Sequence, residues 1–279
     1  MTMKRTSTDN QNKKNQQKGK NAQIVLILAL CLGCILFDFF EFPILKNAER
    51  NRWLNQSLGL SLGWLGVLLL LCRWNIKLLQ KPYFSVSIIV GLIIAVNNFP
   101  FFSYFSGNMR FIRKELFDVV LFAFYCLLVG FLEEFLFRGL IFACLADIFP
   151  KNKKGLLQTF FVSSVLFGVS HLFNLFSGAD VGTTFLQIGY SVLTGGLFAF
   201  VLIKTKNLFF PALLHAVYNF CGLLLSKQGL GSGVVFDVPT VMITAILALL
   251  AGIYVLYGLF HIQEGERSVL YKRLGTKNE

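Results

Sequence analysis

An all-α bundle that crosses a membrane about eight times, with both ends on the cytoplasmic side, is the architecture this sequence predicts, on three observations. The apolar set makes up 55% of the 279 residues and only 14% are charged, whereas a soluble globular chain is roughly 45–50% apolar and about 25% charged. An outer surface facing hydrocarbon accommodates that composition, and one facing water does not. Apolar runs approaching the roughly 20 helical residues needed to cross a bilayer core recur along the chain. The Lys and Arg residues gather in alternate connections between those runs, the asymmetry that keeps basic loops in the cytoplasm.

In residues 1–21, Lys4, Arg5, Lys13, Lys14, Lys18 and Lys20 stand among Asn, Gln, Ser and Thr. This stretch reads as a disordered basic cytoplasmic tail, a topology signal that can also lie on anionic lipid. No aromatic residue interleaves with its charges, so despite a net charge of +12 nothing there offers a stacking surface for nucleic acid. Residues 22–263 are expected to form the transmembrane domain, with spans at 23–44, 55–72, 84–106, 116–147, 154–176, 181–203, 208–226 and 238–262. The first span is read as a retained helix, because no small-x-small cleavage site follows it. Residues 264–279 are expected as a cytoplasmic C-terminal tail. An even number of spans puts both termini on one side, which then holds 18 Lys and Arg against seven on the other. Arg138 is the remaining one, placed deep in a span. The six cysteines are scattered through apolar stretches; Cys31 and Cys34 form a C-x-x-C inside a span and are read as packing residues.

Ionisable groups inside a membrane cost about 2.5–3.5 kcal/mol each on insertion scales, and they persist mostly where they pair or work. The fourth span holds Glu133, Glu134 and Arg138. Glu134 and Arg138 stand four apart on one helical face and can form an ion pair; Glu133 is turned about 100° away. Two of the three histidines also lie inside spans, away from their edges: His171, with Asn174 following at helical spacing, and His215, with Asn219 on its face at i+4. A rise of 1.5 Å per residue puts Glu133 roughly 20 Å, His171 roughly 25 Å, and His215 and Asn219 about 10–18 Å from the cytoplasmic ends of their helices. Antiparallel helices could therefore bring all four round one cavity in the inner and middle part of the bilayer.

These residues resemble the CAAX protease and bacteriocin-processing (Abi) family of intramembrane proteases. The family pattern is E-E-x-x-x-R, then F-x-x-x-H, then H-x-x-x-N; here it reads Glu133, Glu134 and Arg138, then Phe167 and His171, then His215 and Asn219. All seven positions match in order, across roughly residues 116–226, which would be the protease core. Residues 1–110 carry no such motif. The resemblance implies an endopeptidase that cuts a peptide bond of a membrane-associated or lipidated peptide inside a cavity. In one family mechanism, Glu133 and His171 polarise the attacking water while His215 and Asn219 donate to the oxyanion. In the other, a metalloprotease mechanism, Glu133, His171 and His215 hold a zinc ion.

A carboxylate in a cavity can act as general base when a histidine shares the water, and a catalytic zinc takes typically three protein ligands with one open position. No H-E-x-x-H helix is present, and the metal-free mechanism is preferred, with no cofactor. Glu134 and Arg138 are expected to fix the helix and to orient Asn219 or the substrate carboxylate, and Phe167 is expected to pack. Ser170 beside His171 points about 100° away on a helix, the wrong arrangement for a Ser/His pair. The competing readings are a catalytically silent scaffold or immunity factor that keeps the site for binding, and a small-solute transporter. The expected location is a bacterial plasma membrane.

Overall fold

The computed structural model describes residues 25–37, 40–113, 115–233 and 238–275; the basic tail expected over 1–21 lies outside the described residues. Among them the chain is helical, with two isolated β-bridges, Phe111 to Gly231 and Ser226 to Gly233, and no strand. Helix α1 is Val25–Phe37. It is followed by α2 (Ala48–Arg73), α3 (Val86–Asn97), α4 (Phe101–Phe105) and α5 (Leu116–Glu134). A π-helical stretch, Phe135–Ile141, joins α5 to α6 (Phe142–Ile148). Helix α7 (Lys153–Ser170) tightens into a 3-10 helix at His171–Ser177. The chain continues through α8 (Val181–Thr205), α9 (Phe209–Leu223), α10 (Val238–Phe260) and α11 (Glu264–Arg273).

Six stretches of the described residues are long and apolar enough to cross a membrane, and α1 and α9 are apolar but shorter. Large apolar side chains such as Phe84, Phe105, Phe176, Leu249 and Met242 are exposed on the outside of the bundle, which hydrocarbon accommodates and water does not. The protein is an all-α, multi-pass membrane protein.

The helices follow the expected spans with two breaks, both at proline. Around Pro43 the chain is irregular: Phe42 N donates to Asn55 Oδ1 (3.0 Å), and Ile44 N and Leu45 N donate to Asn51 Oδ1 (2.8 and 2.9 Å). Side chains of α2 thus satisfy backbone groups that a proline-interrupted helix leaves open. Asn47 caps α2 by accepting from Glu49 N and Arg50 N, so this helix begins seven residues earlier than its apolar run. The third span is divided at Pro100 into α3 and α4. The asparagines before the break reach neighbouring helices, Asn97 Nδ2 to Thr244 Oγ1 and Asn98 Nδ2 to Tyr218 O, each at 2.9 Å.

Alternate connections gather at opposite ends of the bundle. At one end Leu208 N donates to Leu78 O (2.8 Å), Asn207 Nδ2 to Gln80 O (2.7 Å), Arg273 Nη1 to Lys206 O (2.9 Å) and Lys153 Nζ to Phe260 O (2.5 Å). At the other, Ile112 N donates to Leu230 O (2.8 Å), Arg50 pairs with Asp118 (2.5 Å) and Glu115, and Arg113 pairs with Glu49. These two sets of loops are the ones the Lys and Arg count separates. Residues 264–273, part of the expected tail, form α11: Gln263 and Glu266 make a capping box, and Leu270, Tyr271 and Leu274 are buried against the bundle. Lys204 Nζ to Glu266 Oε1 (2.7 Å) ties α11 to the end of α8.

Helix α9 packs against α3, α5 and α8; α2 lies against α5, α7 against α8, and α10 against α8 and α3. The residues Leu197–Ile203 of α8 are all buried, so this stretch forms the axis of the core and α9 stands beside it.

Candidate active site

Close backbone approach places the site. A Cβ on Gly130 would come within 2.7 Å of Ala216 N and 2.8 Å of Ala212 O, main-chain atoms of α9 that cannot swing aside. The glycine lets α5 and α9 meet at van der Waals distance, the small-residue contact common between membrane helices. One turn further along α5, Glu133 and Glu134 therefore stand directly against His215 of α9. Gly195 of α8 acts similarly for the next layer: a Cβ there would lie 2.7 Å from Arg138 Nη2 and 2.8 Å from the Phe167 ring.

Three charged or polar side chains form the floor. Glu134 Oε1 meets both Arg138 Nη1 (3.1 Å) and His215 Nδ1 (3.0 Å). Glu134 and Arg138 are completely buried, so the four-residue spacing does make an ion pair; the group it reaches beyond itself is His215. An ionised carboxylate only accepts. His215 Nδ1 therefore carries the proton donated to Glu134, and Nε2 is turned toward Glu133, whose Oε2 is 3.6 Å away. Arg138 lies over the Phe167 ring with its guanidinium carbon 4.2 Å from the centroid. The same ring meets His171 edge-on at 5.2 Å and His215 at 5.7 Å, while Phe198 stacks on His215 at 5.3 Å. Phe167 does pack, as its apolar character implies, and it is also the surface on which the arginine and both imidazoles rest. The π-helical stretch that holds Arg138 turns Phe137 O toward α7, where Ser163 Oγ donates to it (3.4 Å). Such π segments recur at functional sites.

His171 stands where α7 becomes a 3-10 helix. Its Nδ1 lies 3.0 Å from Phe167 O, an acceptor, so Nδ1 carries the proton and Nε2 keeps a lone pair. Ser170 Oγ donates to the same carbonyl (2.7 Å). Asn174 Nδ2 donates to Gln187 Oε1 (2.9 Å).

A cavity of about 1260 Å³ runs beside this group, and Glu133, His171, His215 and Asn219 all line it. Glu133 and His171 are half-buried and His215 is buried. The remaining wall is mostly apolar, including Phe160, Phe161, Val165, Leu193, Ala251 and Val255. Several of those side chains, Phe161 and Leu193 among them, are exposed on the outside of the bundle, so the cavity opens sideways to hydrocarbon as well as toward the loops holding Asn98, Ala179 and Lys227. As a metal site the donors do not converge: among the described residues no three His, Cys, Asp or Glu side chains come together as a ligand set.

Residues 115–221 match the family model for type II CAAX prenyl endopeptidases, Rce1-like. A 100-residue stretch is 29% identical to CAAX prenyl protease 2 of Saccharomyces cerevisiae, covering 32% of this chain and 32% of that protein. The chain thus spans about a third of the length of the curated relative it matches. No solved structure matches the chain. The matched stretch is the one that brings Glu133, Phe167, His171, His215 and Asn219 to the wall of a single cavity with Glu134 and Arg138 buried beside them, and over residues 115–221 this chain is similar to the CAAX prenyl endopeptidases.

Proposed function

We propose that this chain is an intramembrane endopeptidase acting on a membrane-associated or lipidated peptide, by water attack and without a metal. The observation that carries the reading is the Glu133 carboxylate, at the cavity wall and 3.6 Å from an imidazole whose other nitrogen is held by a buried carboxylate. Glu133 takes a proton from the water and His171 Nε2 accepts its other proton as a hydrogen bond. The hydroxide adds to the scissile carbonyl carbon. The resulting oxyanion receives hydrogen bonds from Asn219 Nδ2 and from His215 Nε2 in its protonated form, the placement expected of oxyanion donors. Glu133 then returns its proton to the departing amine as the C–N bond breaks, which leaves a carboxylic acid and an amine and regenerates the base. The apolar wall takes the lipid chain or apolar side chains of the substrate.

The test is cleavage of a fluorogenic apolar peptide by purified protein in lipid discs, with metal removed by exhaustive chelation and checked by elemental analysis. Cleavage that survives metal removal is the expected result. Activity that disappears and returns with added zinc would overturn the metal-free mechanism, and no cleavage of any apolar or acylated peptide would favour the silent scaffold.

We propose further that both termini are cytoplasmic, with the loop at Lys151–Lys154 on that side and the loop at Lys227 opposite. Single cysteines placed at Asn152 and Gln228, in a chain with its native cysteines replaced, are expected to label from opposite faces. Labelling of Asn152→Cys by an impermeant reagent from outside would reverse the orientation.

A further inference from the structure

Three segments meet where two membrane-long helices end. Helix α8 stops at Thr205 and α3 starts at Val86, and Tyr83 N donates to Thr205 O (2.9 Å). Arg273, the last residue of α11, reaches across both: its Nη1 donates to Lys206 O and its Nη2 to Lys81 O, each at 2.9 Å, while its carbonyl accepts from Lys77 N (2.6 Å). Main-chain contacts therefore fix this junction.

The side chains it gathers are basic. Lys206 Nζ lies 4.7 Å and the Arg273 guanidinium carbon 5.1 Å from the centroid of the Tyr83 ring, and Lys204 and Lys81 stand two residues from Lys206 and Tyr83. Lys204 is engaged by Glu266 (2.7 Å), among the described residues the one ion pair at the junction. The partial negative charge at the C-terminus of α8 offsets part of another cation. Lys206 is the unusual member. Lysine is almost never fully buried unless paired, yet this residue is 3% exposed and the hydrogen bond of its Nζ, to Lys204 O, is long at 3.5 Å. Its backbone is left-handed (φ 53°) at the end of α8, where glycine or asparagine is the usual residue. Burial pushes its ammonium below the ordinary lysine pKa; Lys204 and Arg273 push the same way, against Glu266. An anion is what this arrangement lacks.

The level of the junction in the bundle indicates which anion. Phe84 and Val86, next to Tyr83 along the chain, are 84% and 62% exposed, as side chains facing hydrocarbon are, and tyrosine is favoured where hydrocarbon meets the head groups. Positive charge runs from buried Lys206 through half-buried Arg273 to exposed Lys81, so it reaches the surface at that boundary. We propose that Lys206, Arg273 and Lys81, around the Tyr83 ring, bind the phosphate of an anionic phospholipid whose acyl chains lie along Phe84 and Val86. The bound lipid would clamp α11 and the connection between α2 and α3 to the end of α8. The site is independent of the endopeptidase reading.

The experiment titrates full-length protein, delipidated in neutral detergent, with phosphatidylglycerol, phosphatidylcholine or inorganic phosphate. Native mass spectrometry counts bound lipid, and thermal unfolding reads the stabilisation that a ligand of the folded state brings. Phosphatidylglycerol is expected to bind about tenfold more tightly than phosphatidylcholine, the scale of charge-assisted contacts at a partly solvated surface, and inorganic phosphate to give no thermal shift. Lys81→Gln, a change at an exposed side chain, is expected to lower that ratio about threefold. Adding Lys206→Gly, which suits a left-handed backbone, is expected to bring it near one with the lipid-free unfolding temperature kept. Lys272→Gln, at an exposed position of α11, is expected to leave the ratio unchanged. Equal binding of the two lipids, or a preference that survives both substitutions, would overturn the proposal. An equal loss in Lys272→Gln would overturn it in favour of general charge attraction. A thermal shift from inorganic phosphate as large as that from the lipid would overturn it in favour of a free anion.

Discussion

Replacing Glu133 by Gln is expected to lower kcat for peptide cleavage by about 10²–10⁴-fold, the usual worth of a general base, with KM changed little. The amide keeps the size and hydrogen-bonding reach of the carboxylate and loses only its ability to take a proton. Stability should stay within about 0.5 kcal/mol of the wild type, as for substitutions away from cores and buried networks, because the Glu133 side chain is 32% exposed and the His215 imidazole it faces is 3.6 Å away. Thermal unfolding in detergent and single-turnover cleavage read the two quantities separately. Undiminished cleavage by Glu133→Gln would remove Glu133 from the mechanism, and equal loss of stability and activity would make it a structural residue.

The buried pair behind it should behave differently. Glu134 and Arg138 are both wholly enclosed, so removing one partner leaves an uncompensated charge, at a cost of about 3–5 kcal/mol. Arg138→Met and Glu134→Leu are each expected to lower the unfolding temperature sharply. The double variant replaces the pair by apolar groups and is expected to recover most of that loss, giving a large coupling energy in a double-mutant cycle. Activity should not recover with it. Without Glu134, His215 Nδ1 loses the acceptor that sets its tautomer and aims Nε2 at the cavity, and loss of a carboxylate that orients a catalytic histidine costs up to about 10⁴-fold in kcat. A double variant that is both stable and fully active would show that the pair serves the fold alone.

The different visibility of these two effects follows from where their causes lie. The spans were legible because hydropathy is a property of consecutive residues, and α5, α8 and α10 begin within a residue of where their apolar runs do. The breaks at Pro43 and Pro100 carried a sequence signal, the missing N–H, but apolar neighbours on both sides masked it. Helix α11 falls where the sequence predicts a tail, because its buried face, Leu270, Tyr271 and Leu274, is too short to stand out beside membrane spans. Gly130 and Gly195 had no legible role: a glycine in an apolar run means close approach only once its neighbour is known, here Ala212 and Ala216 for one and Arg138 with Phe167 for the other. The same holds for Lys227, one of seven basic residues on its side by count and, among the described residues, the only one in the cavity wall by position.

By itself the sequence determined that this chain is a membrane-embedded helical bundle, which two sets of loops lie together, and which few ionisable residues stand in its spans. Those follow from local transfer free energies, since each apolar residue and each buried charge is weighed against lipid wherever the others are. Only the tertiary structure decided that Glu134 holds His215, that Phe167 carries Arg138 and both imidazoles, and that Glu133 and Lys227 share one cavity. Such pairings depend on the rotation and height of each helix against its neighbours, and at Gly130 and Gly195 the close approach leaves no room for a Cβ.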